Sequence, residues 1–137
     1  MTSTLALKKI REEIIESKVD DRYRLNAYEF VLNGLDFYMT IIGEKRHVTG
    51  QEFSQALLKF AHKQYGPMSK SVLNNWGITA TEDFGCIVYN LIMIGLLSKQ
   101  PQDSLDDFID VVDFSAYFDQ QPLFLIDPDS IKRVKGA

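Results

Sequence analysis

The chain has 137 residues, 45% of them hydrophobic and 25% charged, with 19 Asp+Glu against 15 Lys+Arg. That is enough chain for one hydrophobic core, and the composition excludes fibrous, low-complexity and disordered classes. The longest apolar run, residues 86–97, is interrupted by Asn90 and falls short of the roughly 20 residues a membrane span needs. The N-terminus turns charged at Lys8-Lys9 before any leader-like apolar stretch, and one cysteine, Cys86, cannot form an intramolecular disulfide; together these predict a cytoplasmic protein.

In chain order, Leu7, Ile10, Ile14 and Ile15 line one face of a predicted amphipathic helix over 3–18. Val19-Asp20-Asp21 breaks it, and either Asp is suited to cap the next helix. That longer helix is predicted over 22–42, with Ala27, Tyr28, Val31, Leu35, Tyr38 and Ile42 at the 3.6 period, ended by Gly43. After the charged loop Glu44-Lys45-Arg46-His47, Thr49 and Glu52 form a capping box, and Val48 and Phe53 form a hydrophobic staple for a helix running to Tyr65 and stopped by Gly66-Pro67.

The stretch 68–99 reads as helix, tight turn at Gly77 and second helix, the outline of a helix-turn-helix, with Thr79 and Glu82 as the second helix's capping box. Gly95-Leu96-Leu97 then suggests a strand. Residues 104–114 fit two patterns: Phe108, Asp110, Val112 and Phe114 alternate as in a strand, while Leu105, Phe108, Ile109 and Val112 keep helical spacing behind Ser104. The strand reading is preferred because β-branched residues cluster there. It predicts a mainly α single domain over 1–121 with a winged-helix-like C-terminal half, closed by a β-hairpin from Leu96 to Phe114; a helical bundle without the hairpin is the alternative. A short helix is predicted over 115–119, and the tail 122–137 is expected to be draped or partly disordered.

Three motifs stand out: D-x-R-Y-x-x-x-A-Y-x-F-V over 20–31, R-H-V-x-G-Q-E over 46–52, and W-G-I-x-x-T-x-D-F-G-x-I-V over 76–88. Together they resemble a family of short bacterial proteins of unknown function, up to about Phe118. The resemblance implies a small free-standing protein and carries no activity, cofactor or site residue with it. Cys86 and the basic end of the tail lie outside the resembling pattern.

For function, supply of residues decides first. His47 and His62 are the only histidines and Cys86 the only cysteine, and none are paired at ligand spacing, so no metal or other cofactor is expected. No glycine loop of nucleotide-binding type is present. No catalytic residue is assigned: Cys86 sits among core positions, and the acid pairs Asp20-Asp21 and Asp106-Asp107 read as helix start and turn. Charge is divided along the chain, with 11 Lys+Arg against 9 Asp+Glu up to residue 75 and 4 against 10 beyond it. An acidic second helix repels phosphates, which disfavours DNA binding.

Two candidate sites remain. Arg46, His47, Gly50 and Gln51 lie at a helix start that offers amides and a favourable dipole to an anion, and an enzyme site there is a third reading. The structural alternative is that Arg46 pairs with an acid and His47 packs over the cap. Glu82, Tyr89 and Met93, with Cys86 between, fall on the outer face of the second helix and suit a protein contact, with a plain solvated face as the alternative. The expected function is a non-enzymatic interaction or regulatory module with a protein partner. The alternative is a dimeric DNA-binding regulator drawing its positive charge from the N-terminal helices and Lys132 to Lys135.

Overall fold

Apolar spacing and capping chemistry set the helices seen in a computed structural model, which describes residues 4–43, 48–97 and 105–119. Helix α1 (Thr4–Ile10) passes directly into a π-helical turn (Arg11–Ile15), in which the amide of Glu16 donates to the carbonyl of Arg11 at 2.8 Å. The expected apolar face holds: Ile10 and Ile14 are buried, and Ile15 packs at the core's edge. Lys18, at φ 58°, ends the segment.

Helix α2 (Leu25–Ile42) begins three residues later than the spacing predicts, because Arg24 is extended and its amide donates to Trp76 O at 3.1 Å. Its buried face is Ala27, Tyr28, Phe30, Val31 and Gly34. Leu35, Tyr38 and Ile42, expected in the core stripe, are half-buried. As predicted, Gly43 ends the helix in the left-handed conformation, its amide donating to Met39 O at 3.0 Å.

Helix α3 (Gly50–Tyr65) starts where the sequence places it, with Thr49 Oγ1 accepting the amide of Glu52 at 3.1 Å. Phe53, Leu57, Leu58, Phe60 and Ala61 form its buried face. A 3-10 turn (Gly66–Met68) leads into α4 (Ser69–Asn75), whose end is a Schellman motif: Ile78 N donates to Leu73 O at 2.9 Å and Gly77 N to Asn74 O at 3.0 Å. Leu73 and Ile78, the apolar pair that accompanies this motif, are both fully buried.

Helix α5 (Thr81–Met93) presents Phe84, Ile87 and Leu91 to the core. Its cap lies one residue beyond the expected one. Ala80 is the cap residue and Asp83, rather than Glu82, is the acid that reaches back, with Oδ2 accepting Thr79 N at 2.8 Å and Ala80 N at 3.1 Å. Asp83 wins because it stands three residues past the cap and its side chain folds back onto the amides of the cap and of the residue before it.

The predicted β-hairpin and winged helix are not formed: among the described residues there is no strand. At the near end, Leu96 N is consumed by a second Schellman bond, to Leu91 O at 2.9 Å, so Gly95-Leu96 closes α5 instead of opening a strand. At the far end Leu105–Phe108 is a 3-10 turn, followed by Asp110 at φ 49° and helix α6 (Phe114–Asp119), which Asp113 caps through Ala116 N at 2.8 Å. The physical reason is in the alternation itself, which would put Asp110 on the same buried face as Phe108 and Phe114; breaking the pattern there leaves Asp110 exposed and both rings buried. The rest of the proposed hairpin, 98–104, and the tail 122–137 lie outside the described residues.

Helix α2 packs against α1, α3 and α5; α3 packs against α4 and the Leu105–Phe108 turn; and α4 packs against α6. The two helices of the expected helix-turn-helix therefore find their main partners elsewhere. A row of rings joins the elements: Phe37 to Phe60 at 5.1 Å, Phe60 to Phe30 at 5.4 Å, Phe30 to Phe84 at 6.5 Å and Phe84 to Phe114 at 5.8 Å between centroids. Such pairs add about 0.5–1.5 kcal/mol each beyond their burial. Among the described residues no helix is long and apolar enough to cross a membrane.

Gly77 combines a positive φ of 98° with a close approach, since a Cβ there would stand 2.1 Å from the carbonyl oxygen of Arg22. Gly43 has a similar φ of 74° and open space around it. Gly77→Ala is expected to cost about 3 kcal/mol or more and Gly43→Ala about 1 kcal/mol. Urea midpoints of the two variants check the difference; equal losses would mean that the Arg22 contact does not constrain the turn.

Candidate functional site

The first candidate site is the start of α3. Of its four residues, Arg46 and His47 lie outside the described residues, and Gly50 and Gln51 are described. Gly50 is buried under the Leu105–Phe108 turn: a Cβ on it would meet Asp107 Cβ at 2.7 Å and the Asp107 carbonyl oxygen at 3.0 Å. Gln51 Nε2 donates to Asp107 Oδ1 over a long 3.4 Å. Glu52 Oε2 accepts from the Tyr38 hydroxyl. The helix end is thus faced by the chain's own carboxylates, in the position where the helix dipole favours negative charge. An anion approaching Gly50 would have to displace Asp107.

A second and more developed polar site lies where the segment between α1 and α2 crosses α5. Asp20 is at its centre. Its carboxylate accepts the Arg22 guanidinium in two-point fashion, Nε at 2.9 Å to Oδ1 and Nη2 at 2.7 Å to Oδ2, along with the Arg22 amide at 3.1 Å. Asn90 Nδ2, from α5, donates to Asp20 Oδ2 at 2.8 Å and to the Tyr28 hydroxyl at 3.0 Å. Three residues on, the Tyr23 hydroxyl donates to Asp83 Oδ1. Residues 20–23 therefore run antiparallel to α5, Asp20 meeting Asn90 and Tyr23 meeting Asp83. Arg22 lies over the Tyr23 ring, 5.1 Å from its centroid.

Burial and pairing shift the titrating groups of this crossing. The Arg22 hydrogen bonds, helped by Asn90, outweigh burial and hold the Asp20 carboxyl down to about 2. Burial pushes the Tyr28 hydroxyl up to about 12, against the opposing hydrogen bond from Asn90. Burial and the hydrogen bond to Asp83 also raise Tyr23. The Asp20 side chain is 7% exposed and that of Arg22 57%, so the acid is enclosed and the cation is its lid.

Both carboxylates accept hydrogen bonds on both oxygens: Asp20 holds Arg22 and Asn90, while Asp83 holds Tyr23, Thr79 and Ala80. These bonds tie residues 20–23 to the start and the C-terminal half of α5. Among the described residues no group of three His, Cys, Asp or Glu is placed to hold a metal ion.

Of the predicted contact residues, Glu82 and the intervening Cys86 are half-buried, while Tyr89 and Met93 are 45% and 65% exposed. They share one strip of α5, separated by intervals of four, three and four residues. The antiparallel crossing places exposed Val19 toward the Met93 end of this strip and Arg22 near Cys86. The sequence assigned Asp20 to a helix cap and did not single out Arg22, Tyr23, Tyr28 or Asn90 as a group; the available signals were Asn90 breaking an apolar run and the D-x-R-Y motif itself. Compared with known protein families, curated proteins and solved structures, the chain has no match.

The shifted groups make stability depend on pH in two ways. Asp20's folded value lies below the ordinary 3.8, so its contribution is present above pH 3.8 and is lost as pH falls from there through about 2. Asp20→Asn is expected to lose about 1–2 kcal/mol at pH 7, and its urea midpoint should converge with that of wild type as pH approaches 2. A constant gap would mean that the charge at Asp20 contributes nothing. For Tyr28 the sign is reversed: its contribution is complete below the ordinary tyrosine value of 10.0 and disappears as pH rises through about 12. A tyrosinate absorbance titration should therefore show fewer residues ionising near pH 10 in the folded chain than in urea, and Tyr28→Phe should remove one of the late ionisations.

Proposed function

We propose that the chain is a non-enzymatic protein-interaction or regulatory module of the cytoplasm, grouped with the short bacterial proteins its motifs resemble, and that it makes contact through the outer strip of α5. One observation carries this reading: Tyr89 and Met93 stand exposed on a helix whose opposite face, Phe84, Ile87 and Leu91, is fully buried. Aromatic and Met side chains beside a partly exposed Arg have the composition of an interface centre, with Glu82 at its polar edge. The same strip would serve a partner protein or a second copy of the chain.

The DNA-binding reading has less support. Helix α5 contains neither Lys nor Arg and carries Glu82 and Asp83 in its first turn, so it offers nothing to read guanine or hold phosphate. The cations of the first helical segment are partly engaged, Lys9 with Glu13 at 3.9 Å and Arg11 with Glu16 at 3.8 Å. An anion or enzyme site that used Gly50 and Gln51 would have Asp107 beside it.

Two measurements test the proposal. A photo-crosslinker at position 89 should yield a discrete adduct in bacterial cells, with the chain itself or with another protein, and Met93→Asp should abolish it. Stability should change by no more than about 0.5 kcal/mol, since the site is at the surface. No adduct, or one that survives Met93→Asp, would remove the strip as a contact. In parallel, affinity for random duplex DNA is expected to be negligible near physiological salt. A log affinity falling with log salt at a slope of several units would establish phosphate contacts and favour the rival reading.

A further inference from the structure

We draw no further inference here: the strongest candidate, the exposed strip of α5 from Cys86 to Met93, belongs to the contact face already proposed, and nothing in the structure shows what covers it.

Discussion

Enclosing a carboxylate is costly unless donors replace the water it loses, and the way Asp20 meets that requirement organises much of this fold. Its four donors come from two places far apart in sequence, Arg22 next to it and Asn90 on α5. Asn90 reaches on to Tyr28, so α2 is drawn into the same network. Within a few residues, Arg24 N bonds Trp76 O, Arg24 Nε bonds Asn75 O at 3.0 Å, and the Arg22 carbonyl lies against Gly77. The short segment between α1 and α2 is thereby fixed to both ends of the turn–helix unit that comes after α4. Losing Asp20 would leave Asn90 with a donor facing a vacated site and would release Arg22, so the effects would spread beyond one ion pair.

A comparable economy holds the C-terminal segment. The Thr81 hydroxyl, fully buried, donates to Phe108 O at 2.7 Å and accepts from Val111 N at 3.2 Å, satisfying both capacities of one oxygen. Phe108 lies over Gly85, where a Cβ would come within 2.9 Å of the ring. Helix α5 can accept this turn only because position 85 has no side chain and position 81 has a hydroxyl. That is why α5 touches the Leu105–Phe108 turn so closely, and why the turn also covers Gly50 at the start of α3.

Local chemistry was readable from the residues. Thr49 as a cap, Gly43 and Gly77 as left-handed terminators, the apolar faces of α1 and α5, and the short last helix all depend on neighbours within four or five positions. Errors arose where partners are distant. Asp20 and Asn90 are 70 residues apart, and no spacing rule connects them; the same holds for Thr81 and Phe108. The hairpin does not form because alternation around Asp110 would carry a lone acid in the inward phase, where burying an unpaired charge is costly. In the candidate sites, exposure of Tyr89 and Met93 agreed with helical phase, whereas closure of Gly50 by Asp107 depended on a contact across 57 positions and had no local sign.

The crossing that anchors the fold also divides α5 into two unequally covered halves. A helix that reads DNA in a helix-turn-helix arrangement presents its N-terminal residues to base edges. Here that end is built over: Asp83 accepts the amides of Thr79 and Ala80 just before the helix, Tyr23 covers Asp83, and Phe108 packs on Gly85. The carboxylate that makes the cap also adds negative charge where a phosphate backbone would pass. On the outer side of the C-terminal half Tyr89 and Met93 are exposed. A strip of this kind suits an uncharged protein surface better than a polyanion, which is the physical ground of the protein contact proposed for this helix.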